Sequence, residues 1–190
     1  DGFALYAGKA GIPDSSHIDA GGGWHDASDY LQYATTSANA TFHLLAAYRD
    51  FPKVFGDLKQ ANGLDGKNGR ADVLDEAKWG LDWLLKMHPK ANQMYNQIGD
   101  DRDHASMRMP KEDPYYGRGF ERPVYFIDGD PQQRGKFMNN TTGTSSTAGK
   151  FSSAFRLGAV LFDKEDRKYA KLLSKKSETA YAYAMIKPGV

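Results

Sequence analysis

Apolar residues recur at intervals of three or four positions along four segments of the chain. Such spacing places them on one face of an α-helix. In the first segment the recurring residues are Leu31, Ala34, Ala38, Phe42, Leu45 and Tyr48. The pattern predicts helices over about residues 30–48, 71–88, 146–162 and 164–186. The chain is therefore expected to be mostly helical, with four helices joined by loops of alternating length.

The segments between the predicted helices differ in character. Residues 1–28 and 56–70 are rich in glycine and are predicted to form loops. Residues 93–98 are predicted to form a short strand. Residues 99–144 show no helical periodicity, and loops of this length inside a compact domain are usually functional or disordered. The aromatic residues of this segment argue against simple disorder.

Composition narrows the class of protein. A length of 190 residues suits one domain, and a net charge of +1 gives no indication of binding to nucleic acid or to an anionic membrane. No apolar run approaches the ~18 residues of a membrane-spanning helix, and no signal peptide is recognisable in this sequence. The chain has no cysteine and therefore forms no disulfide.

The candidate chemistry lies directly after a run of three glycines. Gly21–Gly23 is followed by Trp24 and then by two carboxylates three residues apart, Asp26 and Asp29. Glycines adopt backbone conformations closed to other residues and allow a close approach to a ligand. Aspartates with this spacing on a helical turn can point the same way. Two such carboxylates can hold and deprotonate a water molecule, as a hydrolase requires of its general base.

A structural role for the same aspartates also fits the sequence. Asp29 precedes Gln32 by three residues, which is the spacing of a capping box at the start of a helix, and Asp26 could cap an alternative start. On spacing alone this structural interpretation is the better supported of the two.

A family resemblance changes that balance. Residues 22–30 read Gly-Gly-Trp-His-Asp-Ala-Ser-Asp-Tyr, which resembles the Gly-Gly-Trp-Tyr-Asp-Ala-Gly-Asp-His signature of glycoside hydrolase family 9. The sequence departs from that signature at His25, Ser28 and Tyr30, and keeps both aspartates. Four further segments also resemble segments of the family, and they follow one another in the same order as in the family. They are residues 72–84, 99–104, 121–123 and 145–183.

The resemblance implies a fold and an activity. The fold is all-α, part of an (α/α)6 barrel with long irregular loops, and residues 1–190 would form a partial catalytic domain. The activity is inverting hydrolysis of β-1,4-glucans such as cellulose. Asp29 would be the general base, and Asp26 would hold the same water from the other side. The resemblance assigns sugar binding to Trp24, His25, Tyr30 and His104.

The general acid is expected outside this sequence. In the family it is a glutamate near the end of a longer catalytic domain, and no glutamate of this chain matches its motif. The partners implied are therefore a β-glucan and the remaining part of the catalytic domain. The resemblance implies secretion or a periplasmic location. It implies no cofactor, and it places any structural calcium outside this segment.

Several alternatives remain open at the level of sequence. His104 could instead pair with Asp101 or Asp103, and a metal site at Asp100, Asp101, Asp103 and His104 is conceivable, although its spacing fits no known calcium loop. Trp79 and Trp83 are predicted to be core residues. The alternative functions are an exo-acting glucosidase or glucosaminidase of the same family and a non-catalytic carbohydrate-binding module.

Overall fold

Four α-helices dominate the computed structural model of the protein. It describes residues 2–4, 17–27, 29–105, 122–127, 129, 132–134, 137–139 and 142–188. The helices are α1 (Ala34–Asp50), α2 (Asp72–Met87), α3 (Thr144–Phe162) and α4 (Arg167–Ala184). All four predicted helices are present, so the mostly helical interpretation is confirmed. None of the described helices has the length and apolar character needed to cross a membrane.

Short strands form a sheet that the sequence pattern did not reveal beyond one strand. The strands are β1 (Gly2–Ala4), β2 (His17–Ile18), β3 (Gln32–Tyr33), β4 (Tyr95–Ile98), β5 (Arg122–Phe126), β6 (Gln132–Arg134) and β7 (Phe137–Asn139). The first five form one sheet in the order β2-β1-β5-β4-β3, and β6 pairs with β7. The predicted strand at residues 93–98 corresponds to β4. The others have two to five residues, too few to show a period of two.

The start of α1 differs from the prediction. The helix begins at Ala34 rather than near Tyr30, because Gln32 and Tyr33 pair with Ile98 and Gln97 of β4 instead of continuing the helix. The N-cap residue of α1 is Tyr33, and no side chain caps this helix. The capping interpretation of Asp26 and Asp29 is therefore wrong.

The helices enclose one apolar core. α1 packs against α2 and α3, and α3 forms a hairpin with α4. Glycines allow close approach at two places in this packing. A Cβ atom at Gly80 of α2 would lie 2.2 Å from the Thr41 hydroxyl of α1, and one at Gly158 of α3 would lie 2.8 Å from the Leu81 side chain.

His88 follows α2 and joins it to α4 in the core. Its side chain is fully buried. The Nδ1 atom lies 2.9 Å from the Gln93 carbonyl oxygen and carries the proton, because a carbonyl can only accept. The Nε2 atom lies 3.0 Å from the Thr179 hydroxyl. The pKa of His88 is lowered to about 4, mainly by burial. The charge of Lys176 also lowers this pKa, whereas the bond to Gln93 raises it.

We expect His88 to make the stability of the protein pH-dependent below neutrality. In the unfolded chain its pKa is near 6.5, so the unfolded state binds a proton at a pH where the folded state does not. The stabilisation is fully present above pH 6.5 and is lost as the pH falls towards about 4. The loss amounts to at most about 3 kcal/mol. Urea unfolding at a series of pH values between these limits measures it.

The matched variants are His88→Gln and His43→Gln. His43 lies on the exposed face of α1, so its replacement should leave the pH dependence unchanged. His88→Gln should flatten the pH dependence while lowering stability at neutral pH. An unchanged slope in His88→Gln would show that other groups cause the acid sensitivity.

Candidate active site

The glycine loop, which comprises residues 20–24, is held along one face of α2. Three α2 side chains donate to its backbone carbonyls. Trp83 Nε1 donates to Ala20 at 3.1 Å, Trp79 Nε1 to Gly23 at 3.1 Å, and Lys86 Nζ to Gly21 at 2.8 Å. These α2 residues are spaced by three or four positions and therefore share one helix face. The loop conformation thus depends on side chains that lie far away in sequence.

Two of the glycines have backbone conformations that other residues rarely adopt. Gly22 has φ +119° and Gly23 has φ +68°. The loop also lies directly on the indole of Trp83, which is buried. A Cβ atom at Gly23 would lie 2.5 Å from this ring, and one at Gly22 would lie 3.1 Å from it. Gly23 is therefore required both by its dihedral angle and by its contact.

Trp24 anchors the end of the loop on the same helix. Its Nε1 donates to Glu76 Oε1 at 2.7 Å. Its ring lies over Gly80, where a Cβ atom would come within 2.5 Å of the indole. The side chain is half-buried, so Trp24 has a clear packing role whatever it contributes to sugar binding.

Asp26 and Asp29 lie in a tight bend between the glycine loop and β3. The Asp26 N–H donates to the Leu31 carbonyl at 2.9 Å, and Asp29 Oδ1 accepts from the Leu31 N–H at 3.1 Å. The bend replaces the helical turn that the sequence suggested. Ser28, between the two aspartates, lies outside the described residues. The side chain of Asp29 is only 12% exposed, whereas Asp26 is exposed.

His104 lies beside Asp29. It belongs to a short 3-10 helix, Asp101–Ala105, which follows β4 and returns the chain towards β3. His104 Nδ1 lies 3.4 Å from Asp29 Oδ2, and Nε2 lies 2.6 Å from the Tyr33 hydroxyl. The sequence alternative that paired His104 with Asp101 or Asp103 is not what the structure shows.

Tyr33 lies at the candidate site, although the sequence pattern did not place it there. Burial, and to a smaller extent the charges of four carboxylates, together raise the pKa of Tyr33 to about 12; these carboxylates are Asp101, Asp26, Asp29 and Asp103. Both motif aspartates thus act electrostatically on the same hydroxyl group. Tyr33 follows Asp29 by four residues, and the helical interpretation of residues 30–48 concealed its position at the site.

Arg122 braces the strand that carries Tyr33. Its guanidinium donates to the Tyr30 carbonyl and to Gln32 Oε1, while Gln32 Nε2 donates to the Gly22 carbonyl at 2.8 Å. Gln32 is almost fully buried. This chain of bonds links β5, β3 and the glycine loop. The neighbouring Glu121 and residues 106–120 of the long segment lie outside the described residues.

The two remaining predicted sugar-binding residues contact each other. His25 and Tyr30 stack edge to face, with ring centroids 5.3 Å apart. His25 is exposed and Tyr30 is half-buried. Both therefore have surface available to a ligand.

The acidic residues near His104 are held by protein groups. Asp100 is fully buried and accepts from Arg102 Nε at 2.6 Å, and Asp101 Oδ1 accepts from Gln97 Nε2 at 2.9 Å. Among the residues that the structure describes, no group of three or more histidine, aspartate or glutamate side chains is arranged to hold a metal ion. Of the four residues considered as a metal site in the sequence, Asp100 and Asp101 are held by these contacts, and His104 faces Tyr33 and Asp29.

The chain belongs to glycosyl hydrolase family 9, whose family model matches residues 2–190. It is 27% identical over 193 residues to Endoglucanase 15 of Arabidopsis thaliana, covering 100% of this chain and 34% of the relative. It is 29% identical over 185 residues to a cellodextrinase of Butyrivibrio fibrisolvens, covering 92% of this chain and 28% of the relative.

A solved structure shows the same architecture. A metagenome-derived family 9 endoglucanase superposes with a TM-score of 0.72 at 28% identity, covering 100% of this chain and 30% of that one. Structures of this family are (α/α)6 barrels, so the four helices form part of such a barrel and the predicted fold class is confirmed. The chain spans about a third of the length of the relatives it matches.

We expect Gly23→Ala to destabilise the protein more than Gly63→Ala. Both glycines have a positive φ, +68° and +82°, so both substitutions strain the backbone. Only Gly23 faces a buried ring; a Cβ atom at Gly63 would meet nothing within 4 Å. The free energies of unfolding from urea titrations should differ by about 1–3 kcal/mol, the usual cost of overpacking. Equal losses would show that Trp83 does not constrain the loop.

Proposed function

We propose that this chain supplies the general-base half of an inverting glycosidase that cleaves β-1,4-glucosidic bonds in cellulose or related β-glucans. Asp29 is the base, and Asp26 holds the same water molecule. In an inverting enzyme the base activates a water molecule while a second carboxyl group, typically ~6.5–9.5 Å away, protonates the leaving oxygen. The two aspartates of one bend therefore serve the water, and the acid is a separate residue.

The observation that carries this proposal is the fixed position of the Asp29 carboxylate. One of its oxygens accepts from the Leu31 N–H, and the other faces His104. A base that must take a proton in the transition state benefits from such a position, because misplacement lowers the rate steeply. Asp26, exposed on the same bend, adds a second acceptor for the water.

Sugar binding is assigned to four residues around this bend. His25 and Tyr30 offer ring faces and polar atoms at the surface, and His104 is about half exposed beside Asp29. Trp24 is half-buried against α2 and offers the remainder of its ring. Aromatic rings suit this purpose because their apolar faces match those of pyranose rings.

The rest of the activity is placed outside these 190 residues. We assign the general acid to the remaining part of the catalytic domain, which also completes the sugar-binding cleft. Hydrolysis by a carboxyl pair needs no cofactor, and any structural calcium is placed outside this segment.

A polymeric substrate does not enter cells, so we expect the enzyme to be secreted or periplasmic. Activity assays on fractionated host cultures test this location.

Replacing Asp29 with asparagine in the complete enzyme should lower the rate by roughly 10²–10⁴. The amide keeps the shape of the side chain but cannot accept a proton from water. The measurement is the initial rate of reducing-end release from carboxymethylcellulose at saturating substrate. Asp26→Asn should also lower this rate, because the water loses one of its two acceptors.

The matched control is Asp65→Asn, since Asp65 lies in the exposed loop before α2 and pairs with Lys59. It should retain the rate of the unmodified enzyme. If Asp29→Asn also retains it, the assignment of the base is wrong. If the unmodified complete enzyme shows no turnover of any β-glucan but binds one, the chain belongs to a carbohydrate-binding protein instead.

A second candidate is an exo-acting enzyme, and the similarity to a cellodextrinase favours testing it. We expect the complete enzyme to lower the viscosity of carboxymethylcellulose quickly relative to reducing ends released, since internal cuts shorten the chains. Single sugars released from a chain end, with viscosity preserved, would indicate the exo mode.

Inversion at a β-linkage predicts a product of opposite configuration. Proton NMR of the first products should therefore show the α-anomer; a β-anomer would contradict inversion.

A further inference from the structure

Both ring nitrogens of His104 face protein groups. Nε2 lies 2.6 Å from the Tyr33 hydroxyl, and Nδ1 lies 3.4 Å from Asp29 Oδ2. The two aromatic rings are also close, with centroids 5.9 Å apart and planes tilted by 32°. A sugar hydroxyl could therefore bond a ring nitrogen of His104 only by displacing one of these two partners.

The proton positions in this chain of groups follow from its chemistry. The Tyr33 hydroxyl stays protonated at neutral pH, because its pKa is raised to about 12 by burial and by the surrounding carboxylates. It can therefore donate to Nε2. A neutral histidine carries one ring proton, so with Nε2 accepting, that proton is on Nδ1. Nδ1 faces the Asp29 carboxylate, which can only accept.

The surroundings favour this arrangement over one in which Tyr33 is the acceptor. Within the described part of the chain, the charged groups that shift the pKa of its hydroxyl are acidic, namely Asp101, Asp26, Asp29 and Asp103. The guanidinium of Arg102, two residues before His104, is paired with the buried Asp100. The distance of 3.4 Å between His104 and Asp29 is longer than a hydrogen bond, and catalytic contacts often shorten when substrate binds.

We propose that Tyr33 and His104 are positioning residues for Asp29. Tyr33 holds His104 in the tautomer with its proton on Nδ1, and that proton fixes the Asp29 oxygen that the Leu31 N–H leaves free. This inference rests on the proposed function, in which Asp29 is the base. It assigns the ring nitrogens of His104 to the protein and leaves the exposed part of the ring for the sugar, so that loss of His104 lowers the rate and not only the affinity.

The test compares Tyr33→Phe, His104→Ala and the double variant in the complete enzyme. Tyr33→Phe removes only the hydroxyl and should lower kcat roughly tenfold, because the base loses its orientation. KM should stay within about twofold, since no contact to bound substrate is lost. The double variant should be no slower than His104→Ala alone, because both residues act through one chain of contacts.

Tyr169→Phe is the matched control. Its hydroxyl donates to Asp82 at 2.7 Å between α4 and α2, so this variant also loses a partly buried hydroxyl bond, but away from the site. It should keep the kcat of the unmodified enzyme. A raised KM with unchanged kcat in Tyr33→Phe or His104→Ala, or fully multiplicative losses in the double variant, would overturn the inference.

Asp29→Asn separates this inference from the proposed function. If Asp29→Asn is active, the assignment of the base fails. If it is inactive while Tyr33 and His104 act independently, only the present inference fails.

Nitrogen-15 NMR of the complete enzyme, labelled at histidine and assigned with His104→Gln, gives a result that does not depend on any Tyr33 variant folding. The unmodified enzyme should show His104 protonated at Nδ1. Protonation at Nε2 alone would overturn the inference.

Discussion

The contact between the glycine loop and one face of α2 is the constraint on which the site depends. Trp83 supports the loop from below, and Trp79 and Lys86 bind its carbonyls. A loop with consecutive glycines gains much conformational freedom when the chain unfolds, so it needs such contacts to hold one conformation. The face of α2 therefore determines where the backbone enters the bend that carries Asp26 and Asp29.

The second half of the site is positioned by the sheet rather than by the helices. β3 pairs with β4 in a register that places Gln32 opposite Ile98. The 3-10 helix after β4 can then bring His104 back over Tyr33 and Asp29. Arg122, on the strand β5 beyond β4, donates to Gln32 of β3 and to the Tyr30 carbonyl. A slip in this register would move Tyr33 to the opposite face of the strand and separate it from His104.

Acidic side chains dominate the electrostatics around the Tyr33 hydroxyl. Among the described residues, four carboxylates act on the Tyr33 hydroxyl, while Arg102 pairs with Asp100 and Arg122 donates to Gln32 of β3. The Tyr33 hydroxyl contacts one ring nitrogen of His104, and the other ring nitrogen faces Asp29. In the proposed mechanism, this arrangement orients the Asp29 carboxylate without a strong ion pair.

The sequence by itself determined the helices and the motif, because helical periodicity and a glycine–aspartate signature are local. It did not determine where α1 begins, since Gln32 and Tyr33 become a strand only by pairing with residues far along the chain. It also could not separate Trp79 from Trp83. Both occupy the same helix with the same spacing, yet one is half exposed and the other buried, because only Trp83 lies beneath the loop. Tertiary contacts alone decided which tyrosine and which tryptophan serve the site.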